Sequence, residues 1–243
     1  MMLAPRTPNR IEPMPPPILF EDNHLLALHK PAGLLVQGDR SGHPTLLDEA
    51  RAYLKDRDAK PGNVYLGLVH RLDRNVSGVV LLARTSKAAG RLAAAFREGR
   101  VGKHYLAVVP GDPPQEAAEL QAWLAATADG GGLTRAASHP FAGARPAVLR
   151  YRVRERQGAC SLLEIELVTG RRHQIRAQLA LIGCPLLGDV KYGAPEPLPG
   201  RRLGLHAWRL EVEHPVGGRP LTITAPTDGS WPWPPAGTKR GEP

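Results

Sequence analysis

Eight short apolar runs, at residues 25–28, 65–69, 79–83, 105–109, 148–153, 162–168, 205–212 and 221–224, recur through the sequence, most of them bounded by Gly, Pro or Asn. Runs of this length and spacing read as strands. Three helical patterns interrupt them. Thr45 with Asp48 resembles a capping box opening a helix to about Lys55, and Thr85 or Ser86 can cap a helix over 87–98 that stops at Gly99. After Gly170 a third places Ile175, Leu179 and Ile182 on one face and ends at Gly183. Strands and helices do not alternate strictly, which predicts an α+β domain with a central mixed, mainly antiparallel sheet flanked by helices and loops. Residues 115–128 stay ambiguous: their composition favours helix, yet the Gly130-Gly131-Gly132 run and the short apolar segments after it fit a hairpin with a long loop.

Residues 1–17, with six prolines, and residues 225–243 are rich in Pro and Gly and lack periodicity, so they read as arms around one folded unit at 18–224. A chain of 243 residues buries a core without disulfide staples. Cys160 and Cys184 stand apart from any C-x-x-C pair and from metal-ligand spacing with His, so free thiols in a reducing, cytoplasmic setting are expected, with no metal. No signal-peptide pattern and no membrane-length apolar run occurs. Neither a membrane partner nor a protein partner is implied, and a monomer is expected.

Lys and Arg number 32 against 23 Asp and Glu, a formal net charge of +9. The excess is uneven. Residues 167–210 hold seven Lys/Arg (171, 172, 176, 191, 201, 202 and 209) and two acids, Asp189 and Glu196, a local 7 − 2 = +5. Such a patch favours a polyanionic partner such as nucleic acid.

The segment from Gly67 to Gly78 sets His70, Arg71, Asp73 and Arg74 in a polar loop between two apolar runs, where a rigid scaffold presents a site. A kinase catalytic loop would read H-R-D, whereas here Leu72 precedes Asp73. D-F-G, Walker and Gly-rich phosphate motifs are also missing, which removes phosphoryl transfer.

His70-Arg71-Leu72-Asp73-Arg74 with Ser77-Gly78 resembles the signature of the RluA-type pseudouridine synthases. Further segments resemble that family in order. They are the stretch from Leu26 to Gly33 with its His29-Lys30-Pro31, Lys103-His104-Tyr105-Leu106-Ala107, the stretch from Leu163 to Arg176, Pro185 to Asp189 followed by Lys191-Tyr192-Gly193, and Leu205 to Leu210. Together they span nearly all of 18–224. Two features depart from the family. Arg172 stands where Thr is common, adding a charge beside the RNA path, and the seventeen residues before Ile18 leave no room for a small S4 RNA-binding domain. Target choice is then expected to rest on the catalytic domain and its arms.

The resemblance implies isomerisation of uridine to pseudouridine within structured RNA, transfer or ribosomal, with no cofactor. Asp73 takes the place of the essential aspartate. A carboxylate with a reference pKa near 3.9 is ionised at neutral pH, and either attacks covalently or stabilises positive charge at C1′. Arg171 matches the arginine that pairs with that carboxylate, and Tyr105 the tyrosine that stacks on the base and helps remove the C5 proton. Arg71 fills the space of the flipped base, binds a phosphate or forms an ion pair. His70, Arg74, Lys103, Arg172, His173, Arg176 and Lys191 are candidate RNA contacts. The Trp231-Pro232-Trp233 tail docks on the domain, contacts RNA or stays unstructured. The competing class is a non-catalytic RNA-binding protein on the same scaffold. Deamination and methyl transfer are opposed by the lack of a zinc ligand set and of a Gly-rich cofactor loop.

Overall fold

A computed structural model of the chain describes residues 17–38, 42–59, 61–127 and 132–233. Most of the N-terminal arm and the last ten residues, for which sequence reading expected arms, lie outside the described residues. Sixteen elements follow in chain order, two of them single 3-10 turns. The strands are β1 (Ile18–Glu21), β2 (Leu25–Lys30), β3 (Gly67–Leu68), β4 (Ser77–Ala83), β5 (Gly102–Pro110), β6 (Ala117–Ala126), β7 (Thr134–Ala137), β8 (Arg145–Gln157), β9 (Cys160–Leu167), β10 (Leu205–Glu213) and β11 (Pro220–Thr224). The helices are α1 (Leu46–Arg57), α2 (Ser86–Arg97) and α3 (Gln174–Leu181).

All eleven strands join one sheet in the order β1-β2-β4-β10-β5-β9-β8-β6-β7, with β11 on β10 and β3 on β4. The expected α+β architecture is therefore the observed one. Every pair is antiparallel except β4 with β10, which touch in parallel over only two positions, His206↔Ser77 and Ala207↔Gly78. Gly78 is what permits that approach. Its φ is +124°, and a Cβ there would fall 2.2 Å from the backbone oxygen of Ala207. The loop that carries Asp73 runs from β3 to this contact and is pinned where the two halves of the sheet meet.

The fully buried β4 has core on both faces. Leu26, Leu28, Val80, Leu82, Leu163 and Ile165 face the side covered by α1 and α3, while Leu25, Ala27, Val79 and Leu81 pack with α2. Each buried Leu or Ile contributes about 1.5–3 kcal/mol of transfer free energy. α1 presents Leu46, Ala50 and Leu54 at helical spacing, and Thr45 caps it by accepting from the Asp48 N–H at 3.2 Å, as the capping box predicts. α2 buries Ala88, Leu92 and Ala95 behind the Thr85 cap.

The helix α3 is buried nearly all round, its polar residues included. Gln174 donates to Val148 O and accepts from Thr169 Oγ1 and the Arg171 N–H. Gln178 donates to Leu120 O at 2.9 Å and Ala147 O at 3.2 Å. Because these donors are satisfied against β6 and β8, the helix needs little solvent face, although the buried Gln178 Oε1 finds no partner among the described residues.

Three readings change. The ambiguous 115–128 stretch forms β6, whose alternating exposure fits a half-covered strand rather than a helix. The run at 65–69 shortens to Gly67–Leu68, since β3 pairs with β4 only at Ala83 and Leu82. Residues 225–233 pack on the fold instead of leaving it: Ala225 is fully buried, and Trp233 is buried against Leu106, Val108 and Leu162 and donates to Glu155. No described helix is long and apolar enough to cross a membrane.

Candidate active site

The loop before β4 leaves Asp73 partly exposed and its neighbour Leu72 buried. Its backbone is held by stitching to the turn after β2. Gly33 N–H donates to Arg74 O at 2.8 Å, and Arg74 Nε returns the bond to Gly33 O at 2.9 Å. Beneath them Lys30, with no solvent exposure, aims its ammonium at three carbonyls, Pro31 O, Leu34 O and Arg74 O, at 2.8, 2.8 and 3.0 Å. Those acceptors use all three N–H donors of the group, while burial pushes its pKa down to about 7 against the upward pull of Asp73. From behind, Ser77 Oγ lies 2.8 Å from His206 Nδ1, and His206 Nε2 lies 3.1 Å from Ala225 O. The carbonyl can only accept, so Nε2 carries the proton and Nδ1 accepts from the serine. Ala225, just past β11, thus braces the start of β4 below the Asp73 loop.

Arg176, on the first turn of α3, closes the site. Its Nε and one terminal nitrogen grip Asp189 at 2.7 and 2.8 Å, and the other terminal nitrogen reaches Asp73 Oδ2 at 3.1 Å. The guanidinium lies 4.8 Å over the Tyr192 ring. Asp189 is buried and Arg176 nearly so, so this pair works in a medium that screens little. One arginine shared by two carboxylates fixes the orientation of Asp73.

His173 enters from the residue before α3, in the left-handed region at φ +52°. That unusual backbone aims Nε2 to within 3.5 Å of Asp73 and Nδ1 to 2.9 Å from the Tyr192 hydroxyl. Burial lowers its pKa to about 4, Arg176 adding to the effect against the opposing pull of Asp73. At neutral pH it is a neutral hydrogen-bonding group beside the carboxylate. Tyr105, on β5, is raised above the ordinary phenol range by burial first and by the Asp73 charge second. At neutral pH it is a neutral phenol.

One expectation is corrected. Arg171 does not pair with Asp73: it is exposed and reaches Pro146 O at 3.4 Å, because the turn before α3 points it outward, and Arg176, five residues on and inside α3, takes that place. His70 makes its contacts within the fold. Its Nε2 accepts from Leu81 N–H at 2.9 Å and its ring stacks on Phe96 at 4.8 Å, and burial drives its pKa to about 4. Arg71, Arg172 and Lys191 are exposed, and Arg172 donates to Gly132 O at 3.0 Å. Lys103 is half-buried, its ammonium near Gly170, with its pKa lowered by burial. Sequence reading missed Lys30, Asp189 and Tyr192 as site residues, although each stands inside a quoted motif. A Lys preceding Pro at the end of an apolar strand and an Asp ending an apolar Pro-Leu-Leu-Gly run were the available signals.

The family model described as RNA pseudouridylate synthase matches residues 24–181. The ribosomal large subunit pseudouridine synthase D of Nitrosomonas europaea is 37% identical, over 90% of this chain and 64% of its own length. The namesake of Xanthomonas campestris is 34% identical, over 93% of this chain and 70% of its own. The chain thus spans about two thirds of these relatives. Among solved structures, human RNA pseudouridylate synthase domain containing 4 superposes with a TM-score of 0.73 at 26% identity, covering 88% of this chain and 89% of that one.

Proposed function

Since the chain belongs to the RNA pseudouridylate synthase family, we propose that it converts uridine to pseudouridine in structured RNA with Asp73 as the essential carboxylate. In that reaction the N1–C1′ bond breaks, the base turns, and a C1′–C5 bond forms. The C5 proton leaves and N1 gains one, so atoms and electrons balance without redox chemistry. The observation that carries the reading is the Asp73 carboxylate, partly open to solvent and fixed by Arg176 at 3.1 Å, with Tyr105 within its electrostatic reach. The carboxylate meets C1′ as positive charge develops there. The Tyr105 ring offers a face for the extracted uracil, and the neutral His173 a nearby hydrogen-bonding group. Relatives named for the ribosomal large subunit favour ribosomal RNA as the target. Soluble, monomeric action in the cytoplasm is part of the same proposal.

Asp73→Asn tests it. The amide is nearly isosteric and uncharged, so RNA binding stays near the parent value while tritium release from C5-labelled uridine RNA stops. Release near the parent rate removes Asp73 from the chemistry. No release by the parent on any cellular RNA favours a binding protein instead.

A further inference from the structure

Away from Asp73, β6, β7 and the turn into β8 enclose an open hollow of about 530 Å³ lined by Ala125, Ala126, Thr127, Arg135, Phe141 and Ala142. The size falls in the range of small-ligand sites. The guanidinium of Arg135 lies 4.6 Å over the Phe141 ring. The other lining side chains are three alanines and a threonine, too small to fill the space in front of it. The described residues around it, 120–127 and 132–149, carry Arg135 and Arg145 and no carboxylate.

The hollow is also wired to the site. Thr134 N–H at the start of β7 donates to the Tyr192 hydroxyl at 2.8 Å, the same hydroxyl that meets His173 Nδ1. Arg172 donates to Gly132 O, on the residue pair leading into that strand. α3 packs against this arm through Ala177 beside Ala122, Leu124 and Ala147. An RNA that threads past Asp73 therefore has a rigid second foothold on the same framework.

We propose that this hollow holds an unpaired nucleotide of the RNA other than the target uridine, its base stacked on the Arg135–Phe141 pair and its phosphate drawn to Arg135 or Arg145. The inference rests on the reading of RNA as substrate. A planar base finds an aromatic ring and a guanidinium plane, both of which stack with any base and so confer affinity rather than sequence choice.

The test uses the full chain and ribosomal RNA from cells lacking the gene. Phe141→Leu and Arg135→Ala each raise KM about ten-fold while kcat holds, and Phe141→Trp, which keeps a stacking face, restores KM. Emission of the Phe141→Trp protein, taken against the parent, is quenched by a short single-stranded oligoribonucleotide. If the parent makes pseudouridine but KM is unmoved and the emission silent, the hollow is not a nucleotide site and the enzymatic reading stands. If quenching occurs and the parent makes no pseudouridine, the hollow stands and the enzymatic reading falls. Should Phe141→Leu lose its thermal transition, Arg135→Ala and the emission titration decide.

Discussion

Along β8, arginines recur at every second position, 150, 152, 154 and 156, across a register shift between Val153 and Glu155 that turns Arg156, opposite Ser161, to the other face, whereas at the start of α3 Arg171, Arg172 and Arg176 fall within six residues. Each of these four β8 arginines meets a carboxylate. Arg150 reaches Glu119 at 2.9 Å, Arg152 and Arg154 share Glu164 at 2.6 and 3.7 Å, and Arg156 reaches Asp112 at 2.8 Å with Glu116 beside it. Among the described residues, the exposed arginines at α3 donate to backbone carbonyls, Pro146 O and Gly132 O. Identical residues therefore do different work. The first set is cancelled locally and binds little; the second leaves its charge on display, with the buried Arg176 as the one member bound to acids. The +9 of the whole chain says nothing about this division until partners are known.

Breaking Arg176 should produce the largest effect. Arg176→Gln removes the donor to Asp73 and leaves Asp189 buried without its counter-ion, a loss of about 3–5 kcal/mol of stability. Turnover should fall roughly 100-fold or more. Arg171→Gln, by contrast, leaves single-turnover chemistry near the parent rate and changes only RNA affinity. Equal losses in both variants would return Arg171 to the carboxylate. Denaturant melts and single-turnover tritium release measure the two consequences separately.

The reason sequence reading chose the wrong arginine is physical. Thr169-Gly170-Arg171 marks a motif, but the turn's geometry decides which side chain points inward, and that depends on His173 taking a left-handed backbone at φ +52°, which is uncommon for any non-glycine residue even though His adopts it more readily than most. Strands β2, β4, β5, β8, β9 and β10 were legible because their apolar runs are bounded by breakers. β6 was not, since its alanines and Glu119 suit a helix, and only pairing with Arg145–Gln157 makes it a strand. β1 and β7, four residues each, carry too little periodicity to be seen. The loop of Asp73 was legible as a site because it is polar between apolar runs, and the family resemblance singled out Asp73 within it. Lys30 was not, because its role is to satisfy three carbonyls, two in the turn that follows it and one, Arg74 O, in a distant loop.

Acid should weaken the fold through histidines rather than through the arginine sets. His70, His173 and His206 are each lowered to about 4, with burial as the first cause. In the unfolded chain they titrate near 6.5. Between those values the unfolded state binds more protons, so the stability they contribute is present above pH 6.5 and is lost as pH falls toward 4. Thermal melts across that window should show a falling Tm, and His206→Gln should reduce the slope. A Tm flat from pH 6.5 to 4.5 would contradict burial as the cause.

A smaller effect is expected from Arg172→Gln, where one exposed cation at α3 is removed. RNA affinity should drop modestly, and the log–log dependence of binding on salt should flatten by about one unit if Arg172 neutralises a phosphate. Turnover at saturating RNA should not change, because Arg172 touches no group bonded to Asp73. An unchanged salt slope would mean that its bond to Gly132 O is its whole role.

The smallest effect belongs to β8 and tests the other half of the comparison. Arg152 is 65% exposed in its side chain and already bound to Glu164, which Arg154 also reaches. Solvent screens an exposed pair of this kind to about 0–1 kcal/mol, and the neighbouring arginine stays to accompany the carboxylate. Arg152→Gln should therefore shift stability by no more than about 0.5 kcal/mol. The salt slope for RNA should remain that of the parent, since a charge already neutralised by its own sheet releases no counterion when RNA arrives. The informative control is Glu164→Gln, which frees Arg152 and Arg154 together and should strengthen nonspecific RNA binding while leaving tritium release per bound RNA unchanged. If Arg152→Gln instead weakened RNA binding as much as Arg172→Gln, the β8 arginines would be part of the RNA path, and the pairing seen along that strand would be only their resting state.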